Sequence, residues 1–171
     1  EVHMKKLSDY TVVANFIRQQ VTEGDFCIDA TMGNGNDTLL LSQLCKTTGK
    51  VLAFDIQKQA LAATREKLVA EHAPQNYTLL LESHANMSKY AEADSISCIV
   101  FNFGYLPGGD HSLATEADQY SGFNTGFISA EKGGMISLCI YSGGDSGFDE
   151  RNQILSWLKE LDPHKYLVIK K

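Results

Sequence analysis

The run Asp29-Ala30-Thr31-Met32-Gly33-Asn34-Gly35-Asn36-Asp37-Thr38 places two glycines between an apolar strand-like stretch and a helical one. Gly33 and Gly35 let the backbone turn tightly and let a ligand come close to it. Asp55 closes the next apolar stretch, 20 residues after Gly35, where a carboxylate accepts hydrogen bonds from the two hydroxyls of a ribose. This is a pattern for an adenosine-type cofactor. A dinucleotide would need Gly or Ala three residues after the second glycine, and Thr38 stands there instead. Asp37 also adds negative charge where a pyrophosphate would sit at a helix N-terminus. A cofactor with an amino-acid tail and no phosphate meets neither objection. Asn34 and Asn36 each offer donors and acceptors to an ammonium and a carboxylate, and Asp29 is placed to hold the ammonium directly or through water. S-adenosyl-L-methionine is the better match.

A second segment, Asn102-Phe103-Gly104-Tyr105-Leu106-Pro107-Gly108-Gly109-Asp110-His111, suits methylation of an amine or exocyclic amino group. An Asn carbonyl and a nearby backbone carbonyl accept the N–H groups of the nucleophile. They aim its lone pair and stabilise the positive charge that grows on nitrogen. Tyr105 is placed to stack on a flat base or close the pocket. Asp110, His111 or water would accept the released proton. Ser83 and His84 follow the third apolar stretch, where adenine binds in this kind of architecture; His84 reads equally as a structural or surface residue. The plain structural alternatives are a tight turn with a solvated Asp for the first segment, and a Gly/Pro turn with a packing tyrosine for the second.

The elements that must position these residues follow from periodicity. Apolar β-prone stretches at 26–29, 51–55, 77–81, 96–103, 135–141 and 166–169 alternate with helical patterns at 10–21, 37–45, 59–71 and 148–161. The third helix carries Leu61, Thr64 and Leu68 at helical spacing, and Lys132-Gly133-Gly134 reads as a turn before the fifth strand. Alternation of this kind predicts βαβ units and a mostly parallel sheet flanked by helices, an α/β fold in one domain over 1–171. Residues 29–38, 55–57, 83–84 and 102–111 then all fall at strand carboxyl ends, where open α/β sheets bind ligands.

Composition narrows the class further. The 171 residues are 43% hydrophobic and 21% charged, in the range of ordinary globular domains and outside that of disordered or collagen-like chains. No apolar run approaches the ~20 residues of a membrane-spanning helix. The formal charge of −6 disfavours broad phosphate binding without excluding a local basic patch. Cys27, Cys45, Cys98 and Cys139 lack metal spacing and suit buried, reduced thiols in a cytoplasmic protein with no metal.

Together with Phe54-Asp55-Ile56-Gln57, the two segments resemble the rRNA methylase family, whose functionally understood members are tRNA 5-(aminomethyl)-2-thiouridine methyltransferases. The likeness covers roughly residues 25–160. It implies a Rossmann-like class I methyltransferase fold and methyl transfer to the aminomethyl arm of a tRNA wobble uridine, with the anticodon stem-loop as partner. It implies that Asn34, Asn36, Asp55, Gln57 and His84 contact S-adenosyl-L-methionine, and that Asn102 and Tyr105 face the amine. The family also has a hairpin and a seventh strand after the sixth, and this sequence stops at Lys171. The expected sheet is therefore one strand short, and an unpaired edge invites a homodimer. Methylation of an rRNA base or a small amine, and a non-catalytic cofactor-binding module, are the competing expectations; a nicotinamide oxidoreductase ranks below them.

Overall fold

Helix α1, Asp9–Gln20, opens the chain as described by a computed structural model, which covers residues 9–103, 126, 129–140 and 147–169. Ala14, Ile17 and Val21 recur on one side of α1 and its end, and all three are buried. They pack against Leu40, Leu41 and Cys45 of α2 (Asn36–Cys45) and against Cys27, Val51, Cys98 and Val100 of the sheet. Burial of this stripe, more than helix propensity, holds α1 in place.

The sheet holds β1 (Phe26–Asp29), β2 (Lys50–Asp55), β3 (Tyr77–Leu81), β4 (Ile96–Phe103) and β5 (Ala130–Ile140). Their order is β3-β2-β1-β4-β5, and every pairing is parallel. Helix α3 (Lys58–Ala70) links β2 to β3, a 3₁₀ turn (His84–Lys89) follows β3, and α4 (Gly147–Glu160) follows β5. Strands β1, β2 and β4 read as near-continuous apolar runs because both of their faces are covered. One face meets α1, α2 and α3. The other carries Ile28, Leu52, Phe54, Ile99, Phe101 and Phe103 against Met87 of the 3₁₀ turn and Ile154 of α4. Strand order reverses between β1 and β4, which opens a crevice at their carboxyl ends.

Three expectations change. The buried stripe of α3 is Ala60, Thr64 and Leu68, with Leu61 only partly buried. The glycine pair expected to turn the chain before the fifth strand lies inside β5. Ala130 pairs with Ile96 and Met135 with Cys98, so the longer β5 path bulges out between them. Gly133 takes φ +85° there, and a Cβ on Gly134 would stand 3.0 Å from the carbonyl oxygen of Ile96. A glycine pair serves a bulge as readily as a turn. Residues 166–169, expected as a sixth strand, form none: they join no ladder, and Leu167 is 87% exposed. A β-prone run becomes a strand only where a neighbour supplies its hydrogen bonds.

Cys27, Cys45 and Cys98 are buried, and Cys139 is partly buried. Among the described residues, no helix is long and apolar enough to cross a membrane.

Candidate active site

The loop after β1 is held from three sides. The Ala30 amide donates to the carbonyl of Val100 on β4, and that of Met32 to Phe54 on β2. Thr64 of α3 donates its hydroxyl to the carbonyl of Gly33 at 3.1 Å. Gly35 has φ +77°, and a Cβ there would lie 2.9 Å from the Thr64 Cα. Both the conformation and the close approach of α3 therefore require glycine at this position. Helix α2 starts directly behind the loop, with Asp37 in its first turn.

Beneath the loop is a buried polar cluster. Asp29 is fully buried at the end of β1 and accepts hydrogen bonds from the Thr38 hydroxyl at 2.6 Å and the Thr31 amide at 3.1 Å. Asp37, 8% exposed, accepts from the side-chain nitrogen of Asn102 at 2.6 Å. The backbone amide of Asn102 donates to the Thr31 hydroxyl at 2.7 Å, so β4 is tied to the loop twice. Burial first, and then the charge of Asp37, push the Asp29 carboxyl up to about 7, while its bonds from Thr38 and Thr31 pull the other way. Burial also raises Asp37, opposed by the hydrogen bond from Asn102. No cation stands among the partners described for Asp29, so a cation brought beside it would favour its ionised form.

Asp55, at the end of β2, is partly buried and accepts from the Gly33 amide at 3.1 Å and the Gln57 amide at 2.9 Å, one on each oxygen. Each oxygen keeps a lone pair for a further donor. Gln57 itself is partly buried, and Asn34 is exposed. Asn36 is also exposed, and its side-chain oxygen accepts from the Lys67 ammonium on α3. Ser83 caps the 3₁₀ turn by accepting from the Ala85 amide at 3.2 Å. His84 packs edge-on to Phe101, with ring centres 5.7 Å apart, and to Phe103 at 6.1 Å.

The fold thus gathers Asp29, Gly33, Asn34, Gly35, Asn36, Asp55 and Asn102 around one crevice, with Gln57, Ser83 and His84 at neighbouring strand ends. Tyr105, Asp110 and His111 lie outside the described residues. Four participants carry more structure than their sequence positions suggested. Thr31 and Thr38 supply the hydroxyls of the buried cluster, Asp37 binds Asn102, and Glu82 accepts from the Ser83 amide and the Asn86 side chain. Those two bonds hold the Glu82 carboxyl below its usual range, the Asn86 bond contributing most. The available signal was the density of short polar residues between a strand and a helix that leave few exposed.

The arrangement suits a cofactor bearing a ribose and a cationic amino-acid tail. The open lone pairs of Asp55 match the ribose, and Asp29 beneath the loop matches the cation. A family model described as "Putative rRNA methylase" matches residues 51–171, from β2 onward. The tRNA (mnm(5)s(2)U34)-methyltransferase, chloroplastic, of Arabidopsis thaliana is 35% identical across 82% of this chain and 55% of its own length. The chain therefore spans about half the length of that curated relative. A Clostridium thermocellum protein of the family's description superposes with a TM-score of 0.90 at 37% identity, over 97% of this chain and 89% of its own. A "putative methyltransferase" from Streptococcus mutans, solved in complex with SAH, gives 0.82 at 35% identity, over 94% and 86%.

Proposed function

From a chain that belongs to the rRNA methylase family and has the Rossmann-like fold of S-adenosyl-L-methionine-dependent methyltransferases, we propose an N-methyltransferase that uses this cofactor to methylate the aminomethyl group of a tRNA wobble uridine. The observation that carries the reading is Asn102. It stands at the carboxyl end of β4, directly across the strand-order switch from the glycine loop. The name of the Arabidopsis relative supports the tRNA target over an rRNA base or a small amine.

S-adenosyl-L-methionine supplies an electrophilic methyl group on a sulfonium that leaves readily. Asp55 would hold the ribose hydroxyls with its remaining lone pairs. Asn34, Asn36 and the glycine-loop backbone would hold the amino-acid tail, with Gln57, Ser83 and His84 bordering the adenosine. Asp29 is fully buried, so its charge would act on the tail's ammonium from beneath the loop. Asn102 would accept a hydrogen bond from the substrate amine and orient its lone pair. Alkylamines ionise near pH 10, so the protein must favour the neutral form at the moment of reaction. Burial of the amine would do so by making the charged form costly. On sequence grounds Tyr105 would stack on the base or close the pocket, and Asp110, His111 or water would take the released proton. Three buried thiols suit a reducing compartment such as the cytoplasm.

The test is titration calorimetry with S-adenosylhomocysteine, then methyl transfer to three acceptors: hypomodified tRNA bearing the aminomethyl group, rRNA, and a free alkylamine. Micromolar binding and transfer to the tRNA alone is the expected result. Binding without transfer to any acceptor would replace the reading with a cofactor-binding module.

A further inference from the structure

We propose that Asp37 is a positioning residue that decides which end of the Asn102 amide faces the substrate amine. The inference deepens the methyl-transfer reading above and rests on it.

An asparagine amide is ambiguous by construction. Rotating its terminal group by half a turn exchanges a carbonyl oxygen for an NH2 with almost no change of shape. Only one orientation serves an amine nucleophile. With the carbonyl outward, Asn102 accepts an N–H of the amine and leaves the lone pair directed at the methyl. With the NH2 outward, two donors oppose each other, or the amide donates to the very lone pair that must react.

The structure supplies what removes the ambiguity. The NH2 of Asn102 donates to Asp37 at 2.6 Å, and Asp37 is 8% exposed. An ionised carboxylate only accepts, so it holds the NH2 toward itself and turns the carbonyl to the other side. Two further contacts keep the amide within reach. The Asn102 backbone is pinned to Thr31 at 2.7 Å, and Asp37 sits in the first turn of α2, where the helix N-terminus favours its negative charge. The same charge polarises the amide and makes its oxygen a stronger acceptor. Asp29 is hydrogen-bonded to Thr31 and Thr38, so Asp37 is the carboxylate assigned to Asn102. None of these contacts requires Asp37 to touch substrate.

The test is methyl transfer to hypomodified tRNA by the wild type, Asp37→Asn, Asn102→Ala and the double variant. Asp37→Asn keeps the shape of the side chain but can donate, so both amide orientations become available. We expect kcat to fall about 10- to 100-fold in Asp37→Asn, with S-adenosylhomocysteine affinity within about threefold of wild type. The double variant should be no slower than Asn102→Ala alone, because a residue that acts only through Asn102 has nothing left to orient. Unchanged kcat in Asp37→Asn, or an equal further loss in the Asn102→Ala background, would overturn the inference. If Asp37→Asn does not fold, Asp37→Ser makes the same comparison in a smaller volume. An inactive wild type would sink the functional reading and this inference together; an active wild type with an unaffected Asp37→Asn sinks only the inference.

Discussion

Phe101, Asn102 and Phe103 are consecutive, yet they belong to two different environments. On one side of the sheet, Asn102 joins Asp29, Thr31, Asp37 and Thr38 in a hydrogen-bonded cluster beneath the glycine loop. On the other, Phe101 and Phe103 stack with ring centres 5.5 Å apart, beside His84 and in one core with Phe54. Side chains along a strand alternate between faces, so one strand end serves both. The aromatic face is buried, and its energy lies in that burial. The polar face gives up stability, since buried carboxylates cost free energy unless they are paired. A division of labour follows: one face holds the strand end still, and the other carries charge to the crevice.

The largest expected effect breaks the aromatic face. Phe101 is fully buried, and Phe101→Ala should cost about 3–5 kcal/mol of stability through lost burial and the cavity left behind. Chemical denaturation measures it, and a loss below about 1 kcal/mol would show that the ring is not held by burial.

Next in size is Asn102→Ala on the polar face. It should lower kcat for methyl transfer by about 100-fold or more, the scale seen when one transition-state hydrogen bond is removed. Affinity for S-adenosylhomocysteine should barely move. Equal losses in turnover and affinity would reassign Asn102 to cofactor binding.

An effect of similar size, opposite in sign, is expected at Asp29. Its folded-state pKa is raised from 3.8 to about 7, so the native state binds the proton more tightly than the unfolded chain does. Its stability contribution is intact below pH ~4, declines as the unfolded chain ionises, and is fully lost above pH ~7. At about 1.4 kcal/mol per unit, the full penalty is on the order of 4 kcal/mol. Asp29→Asn removes that penalty and loses about one hydrogen bond, worth ~1 kcal/mol. The variant should therefore melt higher than wild type at pH 8 by several degrees, and the gap should close toward pH 4. It should also bind S-adenosylhomocysteine more weakly, as expected when a strained charge serves function. A wild type as stable at pH 8 as at pH 4, relative to the variant, would show that Asp29 is not held against its charge.

How much of this was legible in the sequence depends on range. Strands β1, β3 and β4 begin and end where the apolar runs do, because a buried parallel strand writes its burial directly into consecutive residues. The bulge in β5 was hidden because glycine pairs mark several backbone shapes alike. The absence of a strand at 166–169 was hidden because pairing belongs to two segments, and only one of them is local. The site shows the same limit. Residue types at strand ends identified Asp29, Asp55 and Asn102 as candidates. Nothing local joins Asn102 to Asp37, 65 residues earlier, or turns the Asn36 side chain toward Lys67, 31 residues later.

That last link gives the smallest expected effect and separates the exposed rim of the loop from its buried floor. Lys67 and Asn36 meet at the surface, where solvent screens the charge and both side chains lose rotamer freedom on meeting. Lys67→Met keeps most of the apolar stem and removes the ammonium, so stability should change by no more than about 0.5 kcal/mol. The variant also frees the Asn36 amide, which the proposed function assigns to the amino-acid tail of the cofactor. Affinity for S-adenosylhomocysteine should then rise slightly, by less than about fivefold, since the hydrogen bond given up is itself worth ~1 kcal/mol. A tenfold loss of affinity instead would place the Lys67 charge among the groups that hold the cofactor. It would also extend the polar face from the β1–β4 crevice out to α3.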